Sequence, residues 1–564
     1  MKEKLYLNGE VAIVNFDTAY PNNQNELVAS NTLGIIVNAY LKNLEKYDKD
    51  FYVWITNGKT REETCKDLSI LFRKMMVFSI DELEENYYLK DKEKLLVFVD
   101  DVYDFWKSHQ RFSVMRQRYS GTSGMSLVKK DSKFNSVVRN SYRTLVQALS
   151  GRKNGIYRQV QAGSNAGISV YKKREFYLSD TYEMLQPIYM IESVMLRTPM
   201  IMSTKSNKRE GMFSESDINP ISYFTGDRDS WFCYPAKVGK LLINVYFHRD
   251  FLVSGVALAN LFELASAGEV DRKPDAIVLF ANEDGKDETV FHYDEKEDLW
   301  VGGISYNEKV QYFGYMKKMM LTLHNLAMMK KGWLPIHGAF INVTLFSGER
   351  KGIMLMGDSG AGKSESIEAL RNVAGNEIKD IEVVFDDMGT IHIEDGVPYG
   401  QGSEIGAFIR LDDLEPGTPY RDMDRSIFFN PDILNARVIT PAAPYRVIAR
   451  NHKIDLFAYA NNYDKNLGMR KIEDMEEAKK IFVEGKRMAK GTTQEVGISR
   501  TYFANPFGPM QAQAACNPII DKVFACLKKN DIYVGEVFTH LGLDKSNRKG
   551  INIAAKELLK FIKE

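Results

Sequence analysis

Short apolar runs alternate along the chain with stretches whose apolar positions recur every three or four residues. The first pattern predicts strands and the second amphipathic helices. Within residues 1–104, the runs at 11–14, 51–55 and 95–99 predict strands, while 33–44 and 61–76 predict helices. Strand-like runs return at 241–245 and 276–280. A methionine-rich helix is expected from about Tyr312 to Lys331, with Met319, Met320, Leu323, Leu326 and Ala327 forming a stripe suited to core packing. Past Trp333, His337 enters an apolar strand reaching Phe346. A strand at 351–356 leads into a helix at 365–371, and a strand at 381–387 is expected to end in Asp386 and Asp387. The fold class predicted is α/β. Gly-Ser-Thr punctuation at 120–124 and 163–167 marks loops, and one boundary is expected near 105–130. No internal repeat or low-complexity tract interrupts the pattern.

Composition adds bounds rather than chemistry. The 564 residues are 44% hydrophobic and 27% charged, with 75 basic and 75 acidic side chains, so the balance points away from wholesale nucleic-acid or membrane binding. Cys65, Cys233, Cys516 and Cys526 are scattered without a CxxC pair, as expected of free thiols in a reducing compartment. The first residues lack the apolar core of a signal peptide, and no run is long enough to span a bilayer. A cytoplasmic protein is expected. The local exception is 105–160, where Lys107, Arg111, Arg116, Arg118, Lys129, Lys130, Lys133, Arg139, Arg143, Arg152, Lys153 and Arg158 face only Asp131 in sequence. Such a run marks either a surface for an anion, a nucleic acid or a protein partner, or a solvated face that pairs with acidic segments such as 81–85.

Candidate chemistry concentrates at Gly357-Asp358-Ser359-Gly360-Ala361-Gly362-Lys363-Ser364. This string fits G-x-x-x-x-G-K-[ST], and its predicted context of strand, glycine loop and helix turns backbone N–H groups toward a phosphate. Lys363 would reach the β- and γ-phosphates of ATP, and Ser364 would place its hydroxyl on a divalent metal. His337, just upstream, is either a satisfied core histidine or a site residue. Asp386 and Asp387 are either a turn signal or a metal ligand beside a base.

Read together, these segments resemble ATP-dependent phosphoenolpyruvate carboxykinase. YFGYMKK (312–318) is similar to that family's Y-x-G-E-M-K-K, IHGAFINV (336–343) to M-H-C-S-A-N-V, the glycine loop to G-L-S-G-T-G-K-T, and FDDMG (385–389) to G-D-D-E-H. Weaker similarity continues through GSEIGAFIRLDDL (402–414), NARVITPAAPY (435–445) and AKGTTQEVGISRTYFANPFG (489–508), and the likeness covers roughly 270–564. The resemblance implies a two-lobed fold, with a substrate-side lobe at 211–330 and a nucleotide-binding lobe at 331–564. Residues 1–104 remain an α/β region without assigned role, and 105–210 a basic linker or helical region. It implies Lys318, His337 and Asp387 as ligands of Mg²⁺ or Mn²⁺, with Ser364 on the nucleotide-linked metal. Tyr312 and Ser359 would lie near the substrate carboxylate, Arg410 near the transferred phosphoryl group, Arg437 between phosphoryl group and substrate, and Glu404 behind them. The implied reaction converts oxaloacetate and ATP to phosphoenolpyruvate.

Three features depart from that pattern. GDSGAGKSE and the IHG segment look even more like the HPr kinase/phosphorylase group, which shares the core and uses an aspartate to activate a serine hydroxyl. The family's substrate arginine lies in F-T-G-R-S-P; the nearest string here is Tyr223-Phe224-Thr225-Gly226-Asp227-Arg228-Asp229, which makes Arg228 either that residue or a turn arginine paired with its neighbours. Glu557 stands where an adenine-side arginine is often found. The alternatives are therefore a kinase or phosphorylase using Asp386 or Asp387 as base, and a nucleotide-binding regulatory module without turnover.

Overall fold

The computed structural model describes residues 5–8, 11–16, 20–83, 85–114, 125–151, 155–159, 165–173, 175–358, 360–411, 423–488, 497–543 and 549–564. It divides into two compact units, Met1–Asn154 and Gly155–Glu564. The expected middle region 105–210 is thus shared between them.

In the first unit, strands β1 (Leu5–Asn8), β2 (Val11–Asn15) and β3 (Gln110–Val114) form a small sheet in that order. Helices α1 (Gln24–Val28), α2 (Asn31–Tyr47), α3 (Lys49–Thr56), α4 (Arg61–Met75), α5 (Lys92–Ser108) and α6 (Met125–Ser150) make up most of the rest. Two expected strands are helices. Residues 51–55 lie in α3, whose first turn is capped by Asp48 accepting from the Phe51 N–H; 95–99 lie in α5, where Asp91 accepts from Lys94 N–H. Leu95, Leu96, Phe98 and Val99 are buried while Val97 is 37% exposed, a helical stripe rather than a strand's alternation. The helices expected at 33–44 and 61–76 and the strand at 11–14 are present as α2, α4 and β2.

The second unit holds a ten-stranded mixed sheet, an eight-stranded mixed sheet and a four-stranded sheet. The elements that position the site are α7 (Gly314–Lys330), β4 (Leu334–Leu345), β5 (Arg350–Met356), α8 (Lys363–Ala374), β6 (Ile378–Glu394), β7 (Gly406–Arg410) and β8 (Arg437–Pro441). In the eight-stranded sheet β4 lies between β5 and β6, antiparallel to both, and β5 continues parallel onto 456–461. β4 and β5 are almost wholly buried, which explains their continuous rather than alternating apolar sequence. The methionine stripe of α7 is core, with Met319 and Met320 fully buried. The strand expected to stop at the two aspartates instead runs through them to Glu394, because β4 pairs on both sides of that point. Among the described residues no helix is long and apolar enough to cross a membrane, and the four cysteines are unpaired.

Candidate functional site

The site is built where β4, β5 and β6 run side by side. Register places Gly338 opposite Asp387 and Ala339 opposite Asp386, so the aspartates lie next to the strand that carries His337. Asp387 takes φ +145°, a backbone conformation costing on the order of 1–3 kcal/mol and found mainly where function requires a fixed geometry. From β5 the chain passes into the glycine-rich segment. Gly357 N–H donates to the His337 carbonyl at 3.1 Å, tying loop and histidine together. Gly362, at φ +102°, caps α8; a Cβ there would lie 2.8 Å from Thr539, so the turn admits only glycine. Ser359 lies outside the described residues.

Lys363 is buried, and its ammonium donates to the Gly357 carbonyl at 2.6 Å and the Asp358 carbonyl at 3.3 Å. The Ser364 hydroxyl donates to Asp386 Oδ1 at 2.9 Å. Burial raises the Asp386 carboxyl above the ordinary range, against the opposing Ser364 bond and the Lys363 charge. Asp358 pairs with the buried Arg487, Nε to Oδ2 at 2.9 Å.

The densest charge surrounds Asp387. Its Oδ2 accepts from Lys317 Nζ at 2.7 Å and Lys318 Nζ at 2.8 Å, and Lys317 also lies 2.9 Å from Glu404 Oε1. Burial alone would raise Asp387, but the two ammonium groups outweigh it and hold the carboxylate well below the usual range. Burial depresses Lys318, with Lys317 as a like charge beside it, whereas Lys317, between two carboxylates, is raised despite its burial. Burial lifts Glu404 to about 7.

His337 completes the group. Burial, then the Lys363 charge, lowers its pKa, so the ring is neutral near pH 7. Nδ1 lies 2.8 Å from the Ala504 carbonyl and donates to it, which leaves the lone pair on Nε2. Nε2 is buried without a hydrogen-bond partner and lies 3.1 Å from Asp387 Oδ1. Two lone-pair atoms facing each other at that distance are stabilised by a cation between them. The donor set fits a divalent metal: one imidazole, one carboxylate and one lysine whose pKa is already depressed. Among the described residues no group of three or more His, Cys, Asp and Glu side chains is placed to hold a metal; the set here depends on Lys318 as its third member.

Two aromatic rings gather the remaining cations. Lys318 Nζ lies 4.5 Å from the Phe507 ring centre, and the Arg209 guanidinium 5.4 Å from the same ring. Lys317 and Arg437 lie 5.4 and 5.6 Å from Phe408, and the Tyr312 ring is 6.1 Å from it. Arg410 and Arg437 are direct cross-strand partners on β7 and β8. Like charges at such a position repel, and an anion between them relieves the repulsion. Arg437 Nε is buried without a partner.

The structure thus joins Tyr312, Lys318, His337, Asp387, Glu404 and Arg437 with the loop residues Gly357 to Ser364 other than Ser359, and sets Arg410 beside Arg437. It does not bring in Arg228, which is 59% exposed, 3.4 Å from Asp229 and 5.8 Å from the Tyr189 ring. It adds Lys317, Arg487 and Arg209, which sequence reasoning missed. Arg209 is depressed by burial and lies near Tyr312 and Tyr315. Of the basic set at 105–160, Arg116, Arg118, Arg152 and Lys153 lie outside the described residues. Arg158 belongs to the second unit, where it donates to Asn260 and the Ala259 carbonyl. No protein-family model matches the chain, and no curated protein does.

Proposed function

We propose that the second unit catalyses a metal-assisted, ATP-dependent conversion of oxaloacetate to phosphoenolpyruvate, on a two-lobed carboxykinase-like architecture. The observation that carries this reading is the Lys318–Asp387–His337 set, with His337 Nε2 unpartnered 3.1 Å from Asp387 Oδ1, beside the 357–364 loop. A divalent metal held there would supply Lewis acidity at the oxygen on which negative charge develops.

The chain's own residues account for the rest. Arg437 and Arg209 offer guanidinium groups for the substrate carboxylates, and Tyr312 orients the substrate between them. Loss of CO₂ breaks a C–C bond and leaves its electron pair on the enolate. The enolate oxygen then attacks the γ-phosphorus, and the bond to the departing ADP oxygen breaks. Lys363, Arg410 and Arg437 stabilise the charge that spreads over the transferring phosphoryl group. Lys317 and Glu404 hold Asp387 in place. Phe408 and Phe507 limit water around these groups, which protects the enolate from protonation.

A kinase acting on a protein or small-molecule hydroxyl is the second reading. Asp386 favours it, since a carboxyl raised by burial beside Ser364 is suited to act as a base. The test is phosphoenolpyruvate formation from oxaloacetate and ATP with Mg²⁺ or Mn²⁺. Product that disappears in both Lys363→Ala and Lys318→Met supports the carboxykinase reading. ATP turnover that survives Lys318→Met but not Asp386→Asn supports the kinase.

A further inference from the structure

We propose that the first unit carries a binding site for a neutral, mainly aromatic small molecule bearing one hydroxyl or carbonyl group. A cavity of about 90 Å³, continuous with solvent, lies among α1, α2, α4, α5 and α6. That is several times the roughly 10–15 Å³ that one water needs, room for a small aromatic molecule. Its wall is overwhelmingly apolar, with Phe72, Phe98, Trp106 and Phe134 among the lining side chains. Tyr103 and Tyr142 also line it and stack with ring centres 3.9 Å apart and planes within 7°.

The second observation is polar. Ser141, 4% exposed, lines this cavity, and its hydroxyl has no hydrogen-bond partner. A helical serine ordinarily satisfies itself on the carbonyl four residues back. Ser141 Oγ does not, and it stands as an unmet donor and acceptor on an apolar wall. Thr32 Oγ1 is the other buried hydroxyl there; the Tyr20 hydroxyl interacts with it without full hydrogen-bond geometry, so Ser141 carries the argument.

Water is a poor occupant of so apolar a wall, because a held water needs two to four polar partners. The same wall fixes the ligand's charge. It contains no Lys or Arg. Two carboxylates of α5, Asp100 and Asp101, accept hydrogen bonds from the Tyr142 and Tyr40 hydroxyls, and Tyr142 is part of the wall. An anion would enter without a counter-charge and close to two like charges. A flat neutral molecule gains the aromatic surface and gives Ser141 its missing partner. This inference is independent of the reaction proposed for the second unit.

The test titrates the full chain with 1-naphthol, naphthalene and 1-naphthoate, read by calorimetry and ligand-observed NMR. The expected order is 1-naphthol tighter than naphthalene by roughly tenfold, the worth of one hydrogen bond to a buried group, with no binding of 1-naphthoate. Ser141→Ala removes only the hydroxyl and keeps the fold; it should bring 1-naphthol to parity with naphthalene and leave naphthalene unchanged. Absence of binding by both neutral probes overturns the proposal. So does 1-naphthoate binding as tightly as 1-naphthol, or an unchanged preference for 1-naphthol in Ser141→Ala.

Discussion

Two buried polar sites, one in each unit, are held on opposite terms. Around Asp387 the second unit packs two lysines, two carboxylates and an imidazole, each charge offset by another within about 3 Å. In the first unit the buried Ser141 hydroxyl has no hydrogen-bond partner to offset it. A buried charge is tolerated only when neighbours replace water, so the Asp387 cluster is cross-braced and its members cannot be removed singly without leaving an uncompensated partner. A buried hydroxyl is a milder debt, and it can wait for a ligand. On the readings proposed above, the first arrangement selects charged ligands and the second neutral ones.

The sharpest test of that contrast is catalytic. Lys363→Ala and Lys318→Met should each lower phosphoenolpyruvate formation by about 10³-fold, while Ser141→Ala leaves the rate unchanged. A loss of rate in Ser141→Ala would break the division between the units. Next in size, Asp387→Asn strands two ammonium groups and should cost about 3–5 kcal/mol in urea unfolding. Thermodynamic indifference to that change would mean the lysines are solvated after all.

Glu404 gives the pH dependence. Its folded pKa of about 7 lies above the ordinary 4.5. Between those values the unfolded chain has released the proton while the folded protein still holds it, so stability falls as pH rises from 4.5 and levels off above 7. At about 1.4 kcal/mol per unit, the total is about 3 kcal/mol. Glu404→Gln should remove that slope, read as the difference between wild-type and variant urea midpoints in chelator-treated protein from pH 4.5 to 8. The smallest effect expected is local. Thr60 and Glu63 form a reciprocal cap on α4, and Thr60→Ala should cost about 1 kcal/mol, visible as faster hydrogen exchange in the first turn of that helix.

The contrast between the units also runs through what the sequence alone discloses. Lys318, His337, the 357–364 loop and the paired aspartates were legible because each is a chemically distinctive residue next to a long buried strand or helix. Lys317 left a usable trace: Met320, Leu321 and His324 follow it at helical spacing and are all buried, so it lies on no polar face. Arg487 left none, since its partner Asp358 is 129 residues away. In the first unit, 51–55 and 95–99 are too short for periodicity to separate strand from helix, and the deciding signals were the preceding caps Asp48 and Asp91. The continuation of β6 past Asp387 depends on pairing with β4, a tertiary effect that overrides the local turn signal of two adjacent aspartates.

One feature of the loop bears on how it chooses among anions. Lys363 is held inward by two carbonyls of its own loop, at 2.6 and 3.3 Å. On the proposed reading, an incoming anion competes with this internal stand-in, and gains most when it also reaches the backbone N–H groups of the loop. The loop would then act as a valency filter. Chloride or a lone carboxylate would only replace the carbonyl partners of the ammonium, whereas a polyphosphate chain would collect the ammonium and the backbone N–H groups in a single step.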